Sequence, residues 1–501
     1  MWKRGGSHCI RQRNSRLLRT TNATSRRGIT NHIQANQWSH ADSLVVNPLQ
    51  IYSKVTNTGM EIIFRDTSYP IKYPTQVWKT TPKETQTALK DNLTLATTMH
   101  LPLIFDSTKI FYHSALPLLE PYFIQNFIKD IPSCTEVDGT NTDEIIRKFF
   151  NIEYQFQDSN IVYPSNQPVE SPSKALVGTS FGKDSLLTYA VANEIGLEPE
   201  MIYIIEQSMT YEQKHKTELA KHFKNEFGKK LNILKHETGK FRDYPYLGVP
   251  FTEMGWGLQT TEYALELIPF AYALNAKYLL FGNEQTAAST YMDAKERWTV
   301  HPCYDQSHRW TIHIDQITQT FSGRSVNTGS VIEPLMDMMI QYILAHRYPE
   351  IAKYQMSCFT ETEAGENYHW CHECSICAKM YLMCVGSGID PKKIGLKKNM
   401  LETKYKRFFT LFGGKSITMT YAHTKVGIDE QLFAFYLAAK RGIKGGLIEE
   451  FKKSPLYEEA KEREEELRKT FCSLHTSISV PKELKNKVNS IYKEELSSFQ
   501  Y

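Results

Sequence analysis

Between Ala175 and Gly282 four short apolar runs are separated by helical patterns, and this alternation constrains the fold more than any other feature of the chain. The runs are Ala175-Leu176-Val177-Gly178, Met201-Ile202-Tyr203-Ile204-Ile205, Leu231-Asn232-Ile233-Leu234 and Tyr278-Leu279-Leu280-Phe281-Gly282. Helical patterns follow from Asp184 and over Thr261 to Asn275. Strands alternating with helices imply βαβ units, a parallel sheet and helices on both faces. The expected fold class is therefore α/β. With 501 residues the chain is long enough for two or three domains.

The flanks read differently. Residues 1–45 carry Lys3, Arg4, Arg11, Arg13, Arg16, Arg19, Arg26 and Arg27, with no acid before Asp42. That composition suits a disordered basic arm or an organelle transit peptide, and lacks the apolar core of a secretory signal. Residues 46–163 read as an α+β domain, with a strand at Met60–Phe64 and helices over Thr81–Met99 and Leu116–Lys129. A Pro- and Ser-rich linker at 164–174 precedes the α/β unit of 174–395. From 396 to 501 the chain reads as mostly helical. Its charged stretch Tyr457–Lys469 is expected to be a solvated helix with i,i+4 ion pairs.

Composition excludes several classes. Hydrophobic residues make up 41% and charged residues 23%, which is ordinary for a globular protein. No uncharged apolar run reaches the roughly 18 residues of a membrane span. A net charge of +4 is too small for a protein that coats nucleic acid.

One segment carries chemistry. Ser180-Phe181-Gly182-Lys183-Asp184-Ser185 follows a strand and opens a helix whose apolar positions are Leu186, Leu187, Ala190, Val191 and Ile195. Main-chain N–H groups and the helix dipole converge on an anion in that setting. Gly182 admits close approach, Lys183 neutralises phosphate, and Ser180 and Ser185 offer hydroxyls. Asp184 suits a helix cap or a Mg²⁺ ligand through water. The Walker A spacing is absent: Gly178 and Gly182 have three residues between them, and Asp184 follows Lys183. The plainer reading is a turn that merely starts a helix.

The second feature is a cluster of cysteines. Nine occur, and Cys358 is followed after twelve residues by Cys371-x-x-Cys374-x-x-Cys377. Four thiolates so spaced suit a closed tetrahedral Zn²⁺ site. An iron–sulfur cluster is the alternative, but Cys384 and Val385 do not match the common bacterial run. His369 and His372 read as neighbours of the ligands. Clustered cysteines also point to a reducing compartment, the cytoplasm.

The loop resembles the Ser-Gly-Gly-x-Asp-Ser loop of the PP-loop ATP pyrophosphatase superfamily, with Phe181 in place of the first glycine. A positive φ there would strain Phe181. Together with Ser357-Cys358-Phe359, the three-cysteine knuckle, Glu333-Pro334-Leu335 and Phe281-Gly282-Asn283, the chain resembles the 7-cyano-7-deazaguanine synthase (QueC) family. The resemblance covers roughly Ala175 to Gly395. It departs at Met336-Asp337-Met338, where the family has Ser or Thr followed by Lys, and Tyr291-Met292-Asp293 is the nearest match to a Tyr-Pro-Asp element. These positions help hold the deazaguanine.

The resemblance implies an adenine nucleotide alpha hydrolase-like fold and a cytoplasmic ATP-dependent ligase. ATP would be held by Ser180, Phe181, Gly182, Lys183, Asp184 and Ser185 with Gly282 and Asn283. Lys183, Asp184 and Ser185 would serve catalysis with Mg²⁺. Zn²⁺ would sit on Cys358, Cys371, Cys374 and Cys377. A small carboxylate such as 7-carboxy-7-deazaguanine would be adenylated and converted with ammonia or another amine to amide or nitrile. A protein or tRNA acceptor and a homo-oligomeric state stay open. Two other readings stand beside it: a PP-loop enzyme that thiolates or amidinates tRNA, and a non-catalytic nucleotide-binding scaffold.

Overall fold

The apolar runs form neighbouring strands of one sheet in the computed structural model, which describes residues 48–169, 171–206, 210–229, 231–358, 370–416 and 420–500. The basic arm of 1–45, Phe359 and His369 lie outside the described residues. In chain order the strands are β1 (Leu49–Thr56), β2 (Gly59–Phe64), β3 (Thr67–Lys72), β4 (Lys109–Ala115), β5 (Glu153–Asp158), β6 (Lys174–Gly178), β7 (Glu198–Glu206), β8 (Asn232–His236), β9 (Tyr278–Leu280), β10 (Tyr291–Met292), β11 (Thr299–Val300) and β12 (Asn327–Gly329). Ten of them make a single sheet in the order β12-β9-β6-β7-β8-β3-β2-β1-β4-β5, and β10 and β11 form a separate ribbon. Pairing is parallel from β12 through β8 and from β1 through β5 by way of β4. It is antiparallel at β8–β3, β3–β2 and β2–β1. The fold is a mixed α/β architecture around a large, mostly parallel sheet.

The expected units 46–163 and 174–395 share that sheet. Ile71 and Lys72 of β3 pair with His236 and Lys235 of β8. They also share a core, because side chains alternate across each strand. Leu176, Ile202, Ile204, Leu234 and Leu279 face one side and pack with Ile51, Met60, Ile62 and Phe64 and with the helices Lys83–Thr98 and Gln259–Leu274. Ala175, Val177, Met201, Tyr203 and Leu280 face the other side. There they pack beneath the helices Lys183–Glu194, Asp337–Arg347, Ser375–Gly386 and Lys425–Lys440. The C-terminal region is thus part of the same core.

Two helices differ from expectation. The helix expected at Leu116–Lys129 runs over Glu120–Asp138, with Pro132 inside it and Gly139 ending it in the left-handed region at φ 68°. Tyr457–Lys469 is not one solvated helix. It is divided into Pro455–Glu462 and Glu464–Phe471, and Ala460, Leu467 and Phe471 are buried.

Strand order places the site. β6 lies between β7 and β9, and the chain leaves β6 towards β7 and β8 before crossing to β9 and β12. The carboxyl ends of β6 and β9 therefore flank the point where the winding reverses, where open α/β sheets bind ligands. Among the described residues, no helix is long and apolar enough to cross a membrane.

Candidate functional site

The loop after β6 is a tight turn closed by its own hydroxyls. Ser180 N–H donates to Ser185 Oγ at 3.2 Å, and Ser185 Oγ–H donates to Gly182 O at 3.1 Å. Gly182 N–H reaches Ser180 Oγ at 3.4 Å. Phe181 takes the left-handed conformation, φ 54°, and not Gly182, whose φ is −71°. The position that the resemblance gives to glycine is therefore the one that needs glycine-like backbone. Phe181 holds it because its ring is fully buried, edge-on to Phe223 with ring centroids 6.1 Å apart. Its carbonyl accepts from Met356 N–H at 2.6 Å. Gly182 is the N-cap of the helix Lys183–Glu194, without a side-chain cap, so the capping role expected of Asp184 is not the one it takes.

Lys183 and Asp184 are both buried. Lys183 Nζ contacts Asp184 Oδ1 and Asp337 Oδ1. Asp337 Oδ2 in turn accepts from Lys379, and Lys379 lies 3.8 Å from Glu430 Oε2. Asp184, Glu284 and Asp337 come from segments that follow β6, β9 and β12, and their carboxylate oxygens lie within 4.8 Å of one another. Burial alone would raise the Asp337 pKa, but Lys183 and Lys379 hold it well below the usual carboxylate range. Burial and the charge of Asp337 push Glu284 up to about 8. Burial pushes Glu430 up to about 7, against the pull of Lys379. Burial would depress the Lys183 ammonium, yet Asp184 and Asp337 keep it charged.

The other expected residues divide. Gly282 is buried beside the site. The Asn283 side-chain amide turns away and donates to Thr311 Oγ1 at 2.9 Å, while the main-chain carbonyl of Asn283 accepts from Ser330 Oγ at 2.6 Å. It braces the turn, and the next residue, Glu284, supplies the carboxylate. Ser185 closes the loop as described. Sequence reading missed Glu284, Asp337, Lys379 and Glu430. Asp337 stood out only as a departure from the family pattern, and Glu430, 93 positions further on, carries no local signal. It reaches the site because Met338 N–H donates to Glu430 Oε1 at 3.0 Å and Tyr421 O–H to Oε2 at 3.3 Å.

The four cysteines converge. Sγ separations are 3.3 Å for Cys358–Cys371, 3.7 Å for Cys358–Cys374 and 3.8 Å for Cys371–Cys377. A tetrahedron with Zn–S near 2.3 Å has S···S edges of roughly 3.8 Å, so the set fits zinc. Cys377 N–H donates to Cys374 Sγ and Glu373 N–H to Cys371 Sγ, both at 3.4 Å. Hydrogen bonds from Cys358, Cys371 and Cys377 push the Cys374 thiol well below its ordinary value. Cys384 is buried and stands outside the cluster. His372 Nε2 accepts from Lys397 N–H at 3.1 Å and is not a ligand. The cluster is tied to the loop: Cys358 follows Ser357, whose Oγ accepts from Lys183 N–H at 3.4 Å.

A second ionic cluster braces the neighbouring strand ends. Arg242 bridges Glu262 at 2.6 Å and Glu206 at 2.7 Å, and His236 Nδ1 lies 2.5 Å from Glu266. Burial disfavours the charged imidazole, but Glu266 and Glu206 raise His236 to about 10. These contacts fasten the carboxyl ends of β7 and β8 to the helix Gln259–Leu274. No protein-family model matches the chain, and no curated protein matches it at a significant level.

Proposed function

We propose that the protein is an ATP-dependent, AMP- and pyrophosphate-forming ligase of the PP-loop, QueC-like kind, acting on 7-carboxy-7-deazaguanine or a related small carboxylate. The observation that carries this reading is the left-handed turn at Phe181, which heads a helix at the reversal point of the sheet with Lys183 and three carboxylates beside it. Such a turn aims main-chain dipoles at a triphosphate tail. The carboxylate oxygens of Asp184, Glu284 and Asp337 lie close enough together to share a Mg²⁺ ion. A bound Mg²⁺ would neutralise the phosphate charge that builds up as pyrophosphate leaves.

In this reading the substrate carboxylate attacks the α-phosphorus of ATP, pyrophosphate departs, and an amine then displaces AMP from the acyl adenylate. Lys183 supplies positive charge to the departing phosphates, which requires it to exchange its contact with Asp337 for one with a phosphate oxygen. Lys379 then keeps Asp337 paired. Ser185 and Ser180 hold the turn in shape, and preorganisation of this kind is the main lever on phosphoryl transfer. Zn²⁺ on Cys358, Cys371, Cys374 and Cys377 would be structural, since four thiolates leave no open position. Through Ser357 the cluster would steady the Lys183 amide.

The test is incubation of the pure protein with ATP, 7-carboxy-7-deazaguanine and ammonium. Pyrophosphate release is followed and products are read by mass spectrometry. Carboxylate-dependent ATP–pyrophosphate exchange is expected. Nucleotide binding without exchange for any carboxylate would favour the scaffold reading, which the enclosure of Lys183 by two carboxylates also suits.

A further inference from the structure

The cysteine cluster has a second side. Ser357 ties it to the Lys183 loop, while Trp370 and His372 tie it to the turn that follows the helix Ser375–Gly386. Trp370 Nε1–H donates to Ile394 O at 2.6 Å, and Lys397 N–H donates to His372 Nε2 at 3.1 Å. Between these anchors Leu396 N–H donates to Pro391 O at 3.0 Å and closes the turn. Pro391, Ile394, Leu396 and Met400 are buried beneath it, and Lys392, Lys393, Lys397 and Lys398 are all exposed. Asn399 Nδ2–H donates to Lys444 O at 3.3 Å, which brings a fifth exposed lysine to the same turn.

Like charges fixed together by buried anchors repel one another, and the neighbouring acids do not relieve them. Asp390 accepts from the main-chain N–H of Lys392 at 3.0 Å, and Glu402 pairs with Lys404 at 2.7 Å. Lys392, Lys393, Lys398 and Lys444 make no ion pair with any described residue. Residues 390–416 carry eight lysines and arginines against those two acids, whereas the whole chain carries a net charge of only +4. Basic charge is therefore concentrated on this face. Its surroundings decide the kind of polyanion. Among the described residues, the large apolar side chains left exposed all lie elsewhere. A membrane surface or a protein partner calls for apolar or aromatic anchors beside the charge, and protein interfaces are poor in lysine. A lysine face without such anchors is complementary to a row of phosphates.

We propose that this lysine turn, Lys392–Lys398 with Lys444, binds the phosphodiester backbone of nucleic acid. The inference does not rest on the ligase reading, because neither ATP nor Lys183 takes part in the binding. The cysteine cluster holds both the turn and, through Ser357, the Lys183 loop, so a bound strand is fixed in relation to that loop.

The test is fluorescence anisotropy of the full chain with labelled 12-nucleotide oligouridylate and oligothymidylate across a series of salt concentrations. The quadruple variant Lys392→Gln/Lys393→Gln/Lys397→Gln/Lys398→Gln should keep the parent's melting temperature. It should bind at least roughly tenfold more weakly at about 0.1 M salt, and the slope of log affinity against log salt should fall by about 3. The comparison protein is Lys214→Gln/Lys221→Gln/Lys224→Gln/Lys235→Gln, altered at exposed lysines of the helix Thr210–Phe227 and of β8. It loses equal charge and should bind like the parent. Residues 1–45 are the same in all three proteins, so the difference between them reads the turn alone. Tighter binding of oligouridylate would identify RNA as the partner, and equal binding would identify a strand of either sugar. The proposal fails if neither oligonucleotide binds, if the turn variant binds like the parent, or if both variants lose affinity alike. Binding to phosphatidylserine vesicles alone, lost in the turn variant, would assign the face to a membrane and overturn it.

Discussion

Replacing Phe181 by glycine sets two effects of opposite sign against each other. A left-handed backbone costs a residue with a Cβ about 1–2 kcal/mol, and Phe181 sits there at φ 54°. Glycine removes that strain. It also removes a fully buried ring, and deletion of such a ring costs about 3–5 kcal/mol. The ring term wins, so Phe181→Gly should be less stable than the parent by about 1–4 kcal/mol. Phe181→Ala loses the same ring but keeps the strained φ, so it should lie a further 1 kcal/mol or so below Phe181→Gly. Chemical-denaturation midpoints of the three proteins, measured with equal slopes, give the order parent, glycine, alanine. A glycine variant as stable as the parent would show that the ring contributes little. An alanine variant more stable than glycine would show that position 181 is not held in the left-handed region.

Other outcomes follow from the buried charges and thiols. Lys183→Ala should abolish pyrophosphate release and also lower stability. Removing one partner of a buried pair costs about 3–5 kcal/mol, and Lys183 is 2% exposed. Lys183→Ala/Asp337→Ala should recover part of that loss, and a parent-like melt of the single variant would contradict the pairing. Cys374→Ser should lower both zinc content by metal analysis and the melting temperature; full zinc with an unchanged melt would remove Cys374 from the ligand set. Glu284 and Glu430 are raised to about 8 and about 7. The folded protein therefore binds more protons than the unfolded chain, and the two groups subtract stability as pH rises from near 4.5 through 8. Mg²⁺ shared by Asp184, Glu284 and Asp337 should offset this, so the rise in melting temperature on adding Mg²⁺ should be larger at pH 8.5 than at pH 6. Equal rises at both pH values would argue against a cation at these carboxylates.

Much of the parallel half of the sheet was legible because its signal is local. Ala175–Gly178, Met201–Ile205 and Tyr278–Gly282 are short, apolar and separated by helices, and their length favours buried strands over helices. The cysteine spacing was legible for the same reason, since three of the four thiols lie within seven residues. The helix expected over Leu116–Lys129 runs on to Asp138 although Pro132 lies inside it, because tertiary packing overrides local propensity there. The strain at Phe181 was foreseen only as a condition, because φ is a property of the folded turn.

The amino-acid order alone determined the strands β2, β6, β7, β8 and β9 and the helices that separate the last four, where the turn before Lys183 falls and which thiols can meet. These are short-range matters of periodicity, propensity and spacing. Tertiary structure alone decided that 46–163 and 174–395 are one sheet, through two residue pairs between β3 and β8. It also decided that Glu284, Asp337, Lys379 and Glu430 surround Lys183. Those partners are distant in the chain, and a buried charge finds its counter-charge wherever packing brings one within a few ångströms in a medium that cannot screen it.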